Sequence, residues 1–489
     1  MIDTKALRSR ILDLAIQGKL TEQLASDGTA EELYQQIQAE KQALIKEGKI
    51  KKEKPLPEIS ADEIPFEIPN NWKYVTLSSI TTDKTLNDGD WVLSTDMVSN
   101  GDVKLIQLGS IGECNYVDKG FKYLTYKHFQ ELKGKQIYPG YLLINRMVGE
   151  KLLDCIIPPI EGVLMTAVDV CWIAPKEEWY NIEYLMYMLA SATIQKRVKE
   201  LGYGTTRFRI SKLNLINIYF PLPPLAEQKR IVERVEEIFR LLDTIDQAQE
   251  KYSTDSQILK AKLITAGIQG KLTEQLPSDG SAEELYQQIQ EEKQALIKEG
   301  KIKKEKPLPV IKDEEIPFEI PGNWKWVRLN SLGTFSSGKT PSMAESAYWD
   351  GDIPWVTSKD MKTRIIKDSE MHITELGAEN MQIYPAGTLL LVVRSGILRR
   401  MLPLCVLGVN STINQDLKAF SLYDLSISPW LYFAIKAFEP YILKNLVKVM
   451  TTVESLKFDE FTSMLLPLPP LAEQKRIVEV LERVVGELG

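Results

Sequence analysis

The chain has 489 residues and a formal net charge of −7, and 44% of its residues are hydrophobic while 26% are charged. This size and composition predict a soluble globular protein of two to four domains, and no apolar run is long enough to cross a bilayer. The mild negative charge excludes a protein covered in positive charge, but it allows local basic surfaces. Four scattered cysteines and two isolated histidines argue against a disulfide framework or a structural zinc site and favour the reducing cytoplasm.

The chain opens with a segment that returns later almost unchanged. Residues 16–57 recur as residues 268–309 with three substitutions, and shorter matches follow on both sides of a dissimilar stretch. The substitutions are Ala25/Pro277, Thr29/Ser281 and Ala39/Glu291. The shorter matches are "IPFEIPNNWKYVTL" with "IPFEIPGNWKWVRL", and "PLPPLAEQKRIVE", which occurs twice. Near-identical frames therefore enclose two dissimilar inserts.

One helix in each frame has clear start and stop signals. Thr29 with Glu32, and Ser281 with Glu284, have the spacing of a capping box, in which two side chains bond the backbone at the helix start. A glycine that favours a helix end follows each of these helices. These glycines are Gly48 and Gly300.

Each insert is about 150 residues long, the size of one domain. Short stretches typical of strands, such as "KLIQLGSI", "YLLINRM", "DIPWVTS" and "TLLLVV", alternate with helical runs such as "NIEYLMYMLASATIQKRVKEL". Mixed α/β domains are therefore predicted. Proline-rich arms at residues 54–69 and 306–321 are predicted to lead into the inserts as stiff extended linkers.

A long helix is predicted between the inserts. From Leu225 the sequence has no glycine or proline until Gly267, and a helix of about forty residues would be roughly 60 Å long. Its apolar residues recur four and three positions apart, which indicates a coiled-coil seam. One amphipathic helix lying on a globular core is the alternative. The seam residues are Ile231, Val235, Ile238, Leu242, Ile245, Tyr252, Leu259, Leu263 and Ala266.

The two ends of the chain repeat this helix in two pieces. If the C-terminal piece ran end-on toward the N-terminal piece, they would form a second long helix. It would pack antiparallel to the first about a pseudo-twofold axis, with one insert at each end. The repeating residues are Ile477, Leu481, Val484 and Leu488 near the C-terminus, and Leu7, Ile11 and Leu14 near the N-terminus.

The predicted fold class is α+β, with two mixed α/β domains separated by a long antiparallel helix pair, a coiled coil. The boundaries follow from where the repeated frames begin and end. They are 1–54 and 221–306 for the N-terminal and central helical regions, 64–220 and 316–466 for the two domains, and 467–489 for the C-terminal helix.

The segment "GTFSSGKT" in the second insert matches the phosphate-loop pattern G-x-x-x-x-G-K-[ST]. A working phosphate loop follows a buried parallel strand and opens a helix whose N-terminus holds the phosphates. Here the upstream residues alternate, the downstream residues have no apolar helical stripe, and the first insert lacks the glycines. We interpret the match as accidental, in a polar turn after the domain's first strand, so no ATP site is predicted.

No other pattern indicates catalysis by this chain. Adenine methylation would need an Asn/Asp-Pro-Pro-aromatic loop for the flipped base, and "LPPL" lacks its first residue. The charged "EEKQALIKE" lies on a helix that is predicted to be solvated. The chain is therefore predicted to have no catalytic residues.

Two unlike domains on a stiff rod suit a ligand with two different sites at a fixed separation, as duplex DNA has. Arginine, amide and hydroxyl side chains can read bases, while lysine and threonine often hold phosphates. For any single candidate, an ordinary solvated side chain is the alternative. The candidates are Gln107, Ser110, Arg146, Tyr203, Thr205, Arg207, Arg209 and Lys212 in the first insert, and Thr357, Lys359, Arg394, Arg399, Arg400, Asn414 and Gln415 in the second.

"PLPPLAEQKRIVE" closing each insert, "NWKYVTL" and "NWKWVRL" opening them, and the duplicated helical frame resemble the specificity subunit of type I restriction–modification systems. The resemblance covers essentially the whole chain. It implies two target recognition domains that each read one half of a split, asymmetric sequence in double-stranded DNA. It also implies helices that set the spacing between the halves and dock two methyltransferase subunits.

The same resemblance places the chemistry in partner subunits. Two ATP-driven restriction subunits would complete the assembly for cleavage, and S-adenosylmethionine, ATP and Mg²⁺ would bind in the partners, with no cofactor in this chain. The implied partner-docking residues are Leu225, Glu227, Gln228 and Arg230, with Leu471, Glu473, Gln474 and Arg476. The alternative function is a coiled-coil adaptor whose two domains bind proteins. The last helix departs from a strict repeat, because it stops at Gly489, well short of its central counterpart.

Overall fold

The structure is a computed structural model that describes residues 1–52, 59, 64–304, 307–448 and 453–487. It divides into two compact units, Met1–Glu250 and Lys251–Gly489, called here the first and second unit. Most of the first predicted proline-rich arm, residue 306 of the second arm, and Leu488 of the predicted seam lie outside the described residues. Since the boundary falls inside the long helix, each unit contains one copy of the repeated frame.

The first unit contains two frame helices, a strand-rich head and the first part of the long helix. Its helices and strands are α1 (Thr4–Ile16), α2 (Ala30–Lys46), β1 (Lys73–Thr76), α3 (Leu77–Ile80), β2 (Leu86–Asp88), β3 (Val103–Ile106), β4 (Phe121–Leu124), α4 (Tyr126–Glu131), β5 (Leu142–Asn145), β6 (Leu153–Ile156), β7 (Val163–Thr166), β8 (Val170–Ile173), α5 (Ile182–Ala190), α6 (Ala192–Leu201), α7 (Lys212–Ile216), β9 (Tyr219–Leu222) and the start of α8 (Leu225–Ile268). The elements from β1 to β9 form the first head.

The second unit begins within α8 and repeats the order of the first. Its further elements are α9 (Ala282–Lys298), β10 (Lys325–Arg328), β11 (Gly333–Ser337), β12 (Trp349–Val356), β13 (Ile365–Ile366), β14 (His372–Ile373), α10 (Glu375–Ala378), β15 (Leu389–Val392), β16 (Leu404–Leu407), β17 (Thr412–Ile413), β18 (Leu417–Leu422), α11 (Ser428–Ala437), α12 (Glu439–Asn445), β19 (Val447–Lys448), β20 (Ser455–Leu456), α13 (Phe458–Thr462), β21 (Leu465–Leu468) and α14 (Leu471–Glu487). The elements from β10 to β21 form the second head.

The predicted capping boxes are confirmed at the starts of α2 and α9. Thr29 and Ser281 each accept a hydrogen bond from the backbone N–H three residues on, and the glutamate there reaches back to the cap. Gly48 and Gly300 follow the helix ends with φ of 68° and 70°, a left-handed conformation that side chains other than glycine disfavour.

The long helix α8 has 44 residues, which corresponds to a length of roughly 66 Å. It runs one residue beyond Gly267, the first glycine after Leu225. A Cβ at Gly267 would lie 3.3 Å from Ile477 and 3.4 Å from Leu481. Glycine is tolerated at position 267 because the missing Cβ lets α14 pack closely. The helix ends at Ile268, and the chain turns away from it at Gly270, whose φ is 69°.

The predicted antiparallel packing is present inside the first unit. Thr4 Oγ1 donates to Asp246 Oδ1 at 2.5 Å, and Arg8 donates to Asp243 at 2.7 Å, so α1 and α8 run in opposite directions. The α8 seam is buried at Ile231, Val235 and Leu242 but exposed at Tyr252 and Leu259 in the second unit. The end-on meeting of α14 with α1 stays a prediction.

The two heads share one topology despite their dissimilar sequences. The sheets of the first head have the orders β2-β8-β5-β6 and β4-β3-β7, and those of the second have the orders β11-β18-β15-β16-β13 and β14-β12-β17. Apart from β13, the strands of these sheets correspond one to one, and the second head has a further antiparallel pair, β19–β20. In both heads the central strand of the three-stranded sheet pairs with one neighbour in parallel and with the other antiparallel. This confirms the prediction of mixed α/β domains.

Each head is closed at its base and shares a core with its frame helices. The antiparallel pairs β1–β9 and β10–β21 join the residues that enter and leave each head. In the first unit, Leu12 and Ile16 of α1, Trp72 beside β1, and Ile231 and Val235 of α8 belong to one buried cluster. This continuity fixes the position of the head on its own helices.

Candidate nucleic-acid interface

A buried glutamate joins the frame to the base of the first head. Glu227, in the first turn of α8, accepts a hydrogen bond from Trp72 Nε1 at 2.8 Å. It also accepts hydrogen bonds from Thr21 Oγ1 at 3.1 Å and from Gln23 Nε2 at 3.0 Å. The first turn of a helix favours a negative charge. The carboxylate therefore fastens the start of α8 to the residue before β1 and to the loop after α1.

The second unit repeats these contacts atom for atom. Glu473 accepts hydrogen bonds from Trp324 Nε1 at 2.8 Å, Thr273 Oγ1 at 3.2 Å and Gln275 Nε2 at 2.8 Å. The tryptophans come from the "NWK" that opens each head, and the glutamates come from the "LAEQ" that follows it. The two most recognisable repeated motifs are thus two sides of one contact.

A bidentate ion pair reinforces each frame. Arg230 donates to both carboxylate oxygens of Asp27, at 2.9 and 2.7 Å, and Arg476 donates to both oxygens of Asp279, at 2.6 and 2.8 Å. The guanidinium of Arg476 lowers the pKa of the Asp279 carboxyl. Hydrogen bonding to Asp27 raises the pKa of Arg230. Paired N–H···O bonds of this kind fix orientation as well as adding energy.

The glutamines beside these glutamates are also turned inward. Gln228 Nε2 donates to the Pro223 carbonyl at 2.9 Å, and its Oε1 accepts from the Asn181 backbone N–H at 2.8 Å. Gln474 Nε2 donates to the Pro469 carbonyl at 2.8 Å. Both glutamines therefore fix the proline-rich turn that leads into the helix.

These contacts correct part of the partner-docking prediction. The glutamates and glutamines are at most 2% exposed, so a partner cannot reach them while the unit is folded. The residues concerned are Glu227, Gln228, Glu473 and Gln474. The remaining predicted docking residues, Leu225, Arg230, Leu471 and Arg476, are partly exposed, and docking through them stays a prediction.

Several predicted DNA-binding residues of the first head lie together beyond the end of β5. The backbones of Tyr203 and Arg209 exchange two hydrogen bonds of 2.9 Å, and the Arg209 guanidinium lies 5.5 Å from the centre of the Tyr203 ring. The chain between them carries Thr205 and Arg207, both exposed. The backbone carbonyl of Arg146, the residue after β5, accepts a hydrogen bond from Ile210.

Acidic residues restrain the positive charges at this place. Arg146 Nε lies 3.3 Å from Asp88 Oδ1, and only 11% of its side chain is exposed. Arg209 lies 3.8 Å from Asp169 and is 47% exposed. The Arg146 guanidinium also donates from Nη1 to the Ile210 carbonyl at 3.2 Å, so its orientation is fixed, whereas the contact of the half-exposed Arg209 with its carboxylate is longer. We call the residues 145–147, 169 and 203–209 the first edge.

Three other candidates of the first head have different surroundings. Gln107 follows β3 and donates to the Gly120 carbonyl at 3.2 Å. Lys212 Nζ approaches Asn87 Oδ1 to 3.5 Å and so lies near β2. Ser110 is completely buried, so the prediction that it contacts DNA is wrong for this conformation. The Ser110 hydroxyl lies in the protein interior, beneath the loop that follows β3.

In the second head, the candidates fall at the corresponding strand ends. Thr357 follows β12, and its hydroxyl donates to Asp360 at 2.9 Å. Asn414 follows β17, but it is only 7% exposed, and its side-chain amide bonds Asp416. A base contact by the Asn414 side chain is therefore excluded in this conformation. Gln415 and Lys359 are exposed.

The arginines of the second head lie beyond β15, the counterpart of β5. Arg394 pairs through its backbone with Ser455 of β20. Arg399 bonds the buried carboxylate of Glu454, whose pKa is lowered by that contact. Arg400 is exposed. We call the residues 393–400, 447–448 and 453–456 the second edge.

The two edges are equivalent positions in the shared topology. Arg394 pairs with Ser455 of β20, and in the first head Met147, the residue after Arg146, pairs in the same way with Arg209. Arg146 therefore lies one position before the counterpart of Arg394. Gln107 and Thr357 likewise each follow the central strand of the three-stranded sheet, β3 or β12. Sequence alone could not align these pairs, because the inserts share no continuous similarity.

The phosphate-loop pattern forms part of a sheet rather than an anion site. Gly333–Ser337 are strand β11, which corrects the predicted turn, and no α-helix begins in the described residues between Ser337 and Trp349, where the one helical turn is a 3-10 turn at Ser346–Tyr348. A Cβ at Gly338 would lie 1.8 Å from the Ile413 carbonyl oxygen. Glycine is therefore required at this point by a close approach of two chain segments.

Two further exposed side chains were missed by the sequence analysis. Trp91 in the first head is 69% exposed, and Thr340 in the second is exposed and donates to Gln415 Oε1. For Trp91, the available signal was a large aromatic residue directly after the polar "DGD".

Within the described parts of the chain, no group of three or more His, Cys, Asp or Glu side chains could hold a metal ion. Nor does any described helix combine the length and hydrophobicity needed to cross a membrane.

In comparisons with known proteins, the chain is similar to specificity subunits of type I restriction enzymes. The specificity subunit of the type I restriction enzyme EcoAI from Escherichia coli is 34% identical over 382 residues, which are 68% of this chain and 63% of that protein. The EcoEI specificity subunit, also from E. coli, is 30% identical over 405 residues, 71% of this chain and 65% of that protein. The chain thus spans slightly less than two thirds of the length of these relatives.

A solved structure and a family model agree with this similarity. The structure concerns the complex assembly and conformational transition of the type I R-M system. One of its chains has a TM-score of 0.62 and 18% identity, covering 87% of this chain and 92% of that one, which supports the fold. The model described as type I restriction modification DNA specificity domain matches residues 160–251 and 321–488. Because these matches cover more than half of the sequence, the chain belongs to the family of type I restriction–modification DNA specificity domains.

Proposed function

We propose that this chain is the DNA sequence-specificity subunit of a type I restriction–modification complex. The observation that carries the proposal is the pairing of one head topology with two unlike edges. Two similar scaffolds with different exposed side chains suit a reader of two different sequences. Each head then reads one half of an asymmetric, bipartite target in double-stranded DNA.

The exposed groups at the edges favour DNA over a protein ligand. Arg207 and Arg209 in the first head and Arg400 in the second are exposed beside loops rather than in closed pockets. Arginine can bind guanine through two hydrogen bonds and can also hold phosphates. Local positive charge of this kind is compatible with the negative charge of the whole chain. A non-catalytic coiled-coil adaptor that binds proteins through both heads is the alternative.

In this proposal the reactive chemistry belongs to other subunits. Two methyltransferase subunits dock on the helical frames, and restriction subunits join for cleavage in the cytoplasm. S-adenosylmethionine, ATP and Mg²⁺ bind in those partners, and this chain contributes only recognition. The partly exposed Leu225, Arg230, Leu471 and Arg476 are the predicted docking residues that remain available.

The proposal is tested by selecting bound duplexes from a random pool with the full chain and its methyltransferase subunits at low salt. We expect two conserved half-sites of different sequence separated by an unread spacer. Replacing residues 64–220 by the corresponding domain of a relative should change one half-site and leave the other unchanged. Failure of the wild-type complex to enrich any sequence would favour the adaptor instead.

A further inference from the structure

In each head, a glycine lies where the two sheets of that head approach each other closely. These glycines are Gly89 and Gly338. A Cβ at Gly89 would lie 2.3 Å from the Ala167 carbonyl oxygen, and one at Gly338 would lie 1.8 Å from that of Ile413. The next residue makes the same backbone hydrogen bond in both heads. Asp90 donates to Thr166 at 2.9 Å, and Lys339 donates to Ile413 at 3.0 Å. Gly89 and Gly338 therefore occupy equivalent positions.

The loop that faces this glycine also has the same length in the two heads. Thr166 and Ile413 end β7 and β17, and Val170 and Leu417 begin β8 and β18. Both loops therefore have three residues, "AVD" in the first head and "NQD" in the second. The register of the neighbouring strands agrees, since Asn145 pairs with Val170 and Val392 with Leu417. The central residues of the two loops, Val168 and Gln415, are therefore equivalent.

The equivalent positions differ in chemistry. Two residues after the glycine stands Trp91 in the first head and Thr340 in the second. Across from them, the loop presents Val168 in the first head and Gln415 in the second. The first combination is apolar, whereas the second is a hydroxyl bonded to an exposed amide.

Packing does not account for these side chains. Trp91 is 69% exposed, whereas Trp72, Trp179 and Trp430 in the two units are less than 10% exposed. Trp91 also lies close to the first edge, because the Asp90 carbonyl accepts a hydrogen bond from Val168, next to Asp169. A large aromatic side chain held in water beside basic groups is typical of a binding surface.

We propose that Trp91 with Val168, and Thr340 with Gln415, are specificity-determining residues of the first and second heads. The inference rests on the proposed function and names the side chains that make the two half-sites different. Trp91 makes apolar contacts with a base, as the methyl group of thymine permits. Gln415 reads a base through its amide, the pairing that adenine offers, and Thr340 is a positioning residue that holds this amide in one orientation.

The test uses the full chain assembled with its methyltransferase subunits and selects duplexes from a random pool. The variants are Trp91→Ala in the first head, and Thr340→Val and Gln415→Ala in the second. Thr340→Ser keeps the hydroxyl and should keep the wild-type preference. Tyr126→Ala is the matched control, because Tyr126 is an exposed aromatic residue on α4 of the first head, 46% exposed.

We expect Trp91→Ala to reduce base discrimination about tenfold at one or two positions of one half-site. Thr340→Val and Gln415→Ala should do the same in the other half-site. The dependence of affinity on salt should not change, because no phosphate contact is removed. Tyr126→Ala should retain the wild-type preference throughout.

Three results would overturn the inference. The first is a variant that weakens binding to all sequences equally, and the second is a variant with unchanged preferences. The third is a variant that alters both half-sites together. If the wild-type complex itself selected no sequence, the proposed function would fail and this inference with it. That outcome is recognised before any variant is examined.

Discussion

At the scale of the residue, one carboxylate in each unit determines how the frame meets the head. Glu227 and Glu473 are completely buried, and each accepts three hydrogen bonds from a tryptophan, a threonine and a glutamine. Buried donors that lose their acceptor cost far more than the net energy of the bond. These glutamates therefore matter for the stability of their own units more than for any partner.

We expect Glu227→Ala to destabilise the first unit by roughly 2 kcal/mol or more, because the buried Trp72 Nε1–H loses its acceptor and the part-buried donors of Thr21 and Gln23 lose theirs. The measurement is urea unfolding of the full chain followed by tryptophan fluorescence. Glu233→Ala is the matched control, since Glu233 is an exposed glutamate two turns along the same helix, and its effect should be within about 0.5 kcal/mol. Equal stability of the two variants would contradict the assigned role of Glu227.

Residue types alone drew attention to side chains that the structure brings together. The arginines and the Tyr203 loop were chosen because arginine can read bases and hold phosphates, and the structure brings Arg146 and Arg209 to the same edge. Contact of these residues with DNA stays a prediction. Ser110 and Asn414 were misjudged because a hydroxyl or amide looks the same in sequence whether it faces water or the interior. Their burial follows from contacts with distant strands, which no local pattern records.

At the scale of the element, local signals were sufficient for the helices. Capping residues and a terminal glycine act within a few positions, so α2 and α9 could be placed from sequence. The run predicted as a single helix breaks at Ser191 into α5 and α6, because the hydroxyl of Ser191 bonds the Met188 carbonyl and the backbone turns extended. The shared sheet order was hidden, since parallel pairs such as β3–β7 join segments far apart in sequence.

The glycine at the junction of the sheets gives a test at this scale. Gly338→Ala places a Cβ against the Ile413 carbonyl oxygen, and we expect a loss of about 1–3 kcal/mol in the stability of the second unit. Gly322→Ala is the control, because a Cβ there would meet no atom within 4 Å. The measurement is thermal unfolding of both variants.

A further variant, Lys339→Ala, separates this role of Gly338 from that of a phosphate loop. A phosphate loop would lose nucleotide binding on Lys339→Ala while keeping its fold, since that lysine would contact the phosphates. We expect no ATP binding by the wild-type chain in equilibrium dialysis, and hence no effect of Lys339→Ala. Measurable ATP binding that disappears in this variant would restore the nucleotide interpretation.

At the scale of the whole molecule, the two copies of the internal repeat meet within a helix and not at a loop. The boundary between the units falls within α8, so each unit is a complete set of frame helices and head. The first unit takes its two helical pieces from α1 and the start of α8, and the second takes them from the end of α8 and α14. One uninterrupted helix therefore belongs to both readers. If the proposed function is correct, its length enters the geometry of the DNA target directly.

We therefore expect an insertion in α8 to change the spacer and leave the half-sites unchanged. Seven residues inserted after Tyr252 add about 10.5 Å of helix while nearly preserving its face. At 3.4 Å per base pair, this corresponds to about three additional base pairs. The measurement is duplex selection by the assembled complex, with a seven-residue insertion after Gly300, outside α8, as the control. Because the heads themselves are untouched, an unchanged spacer in the α8 variant would show that the helix does not set the distance between the half-sites.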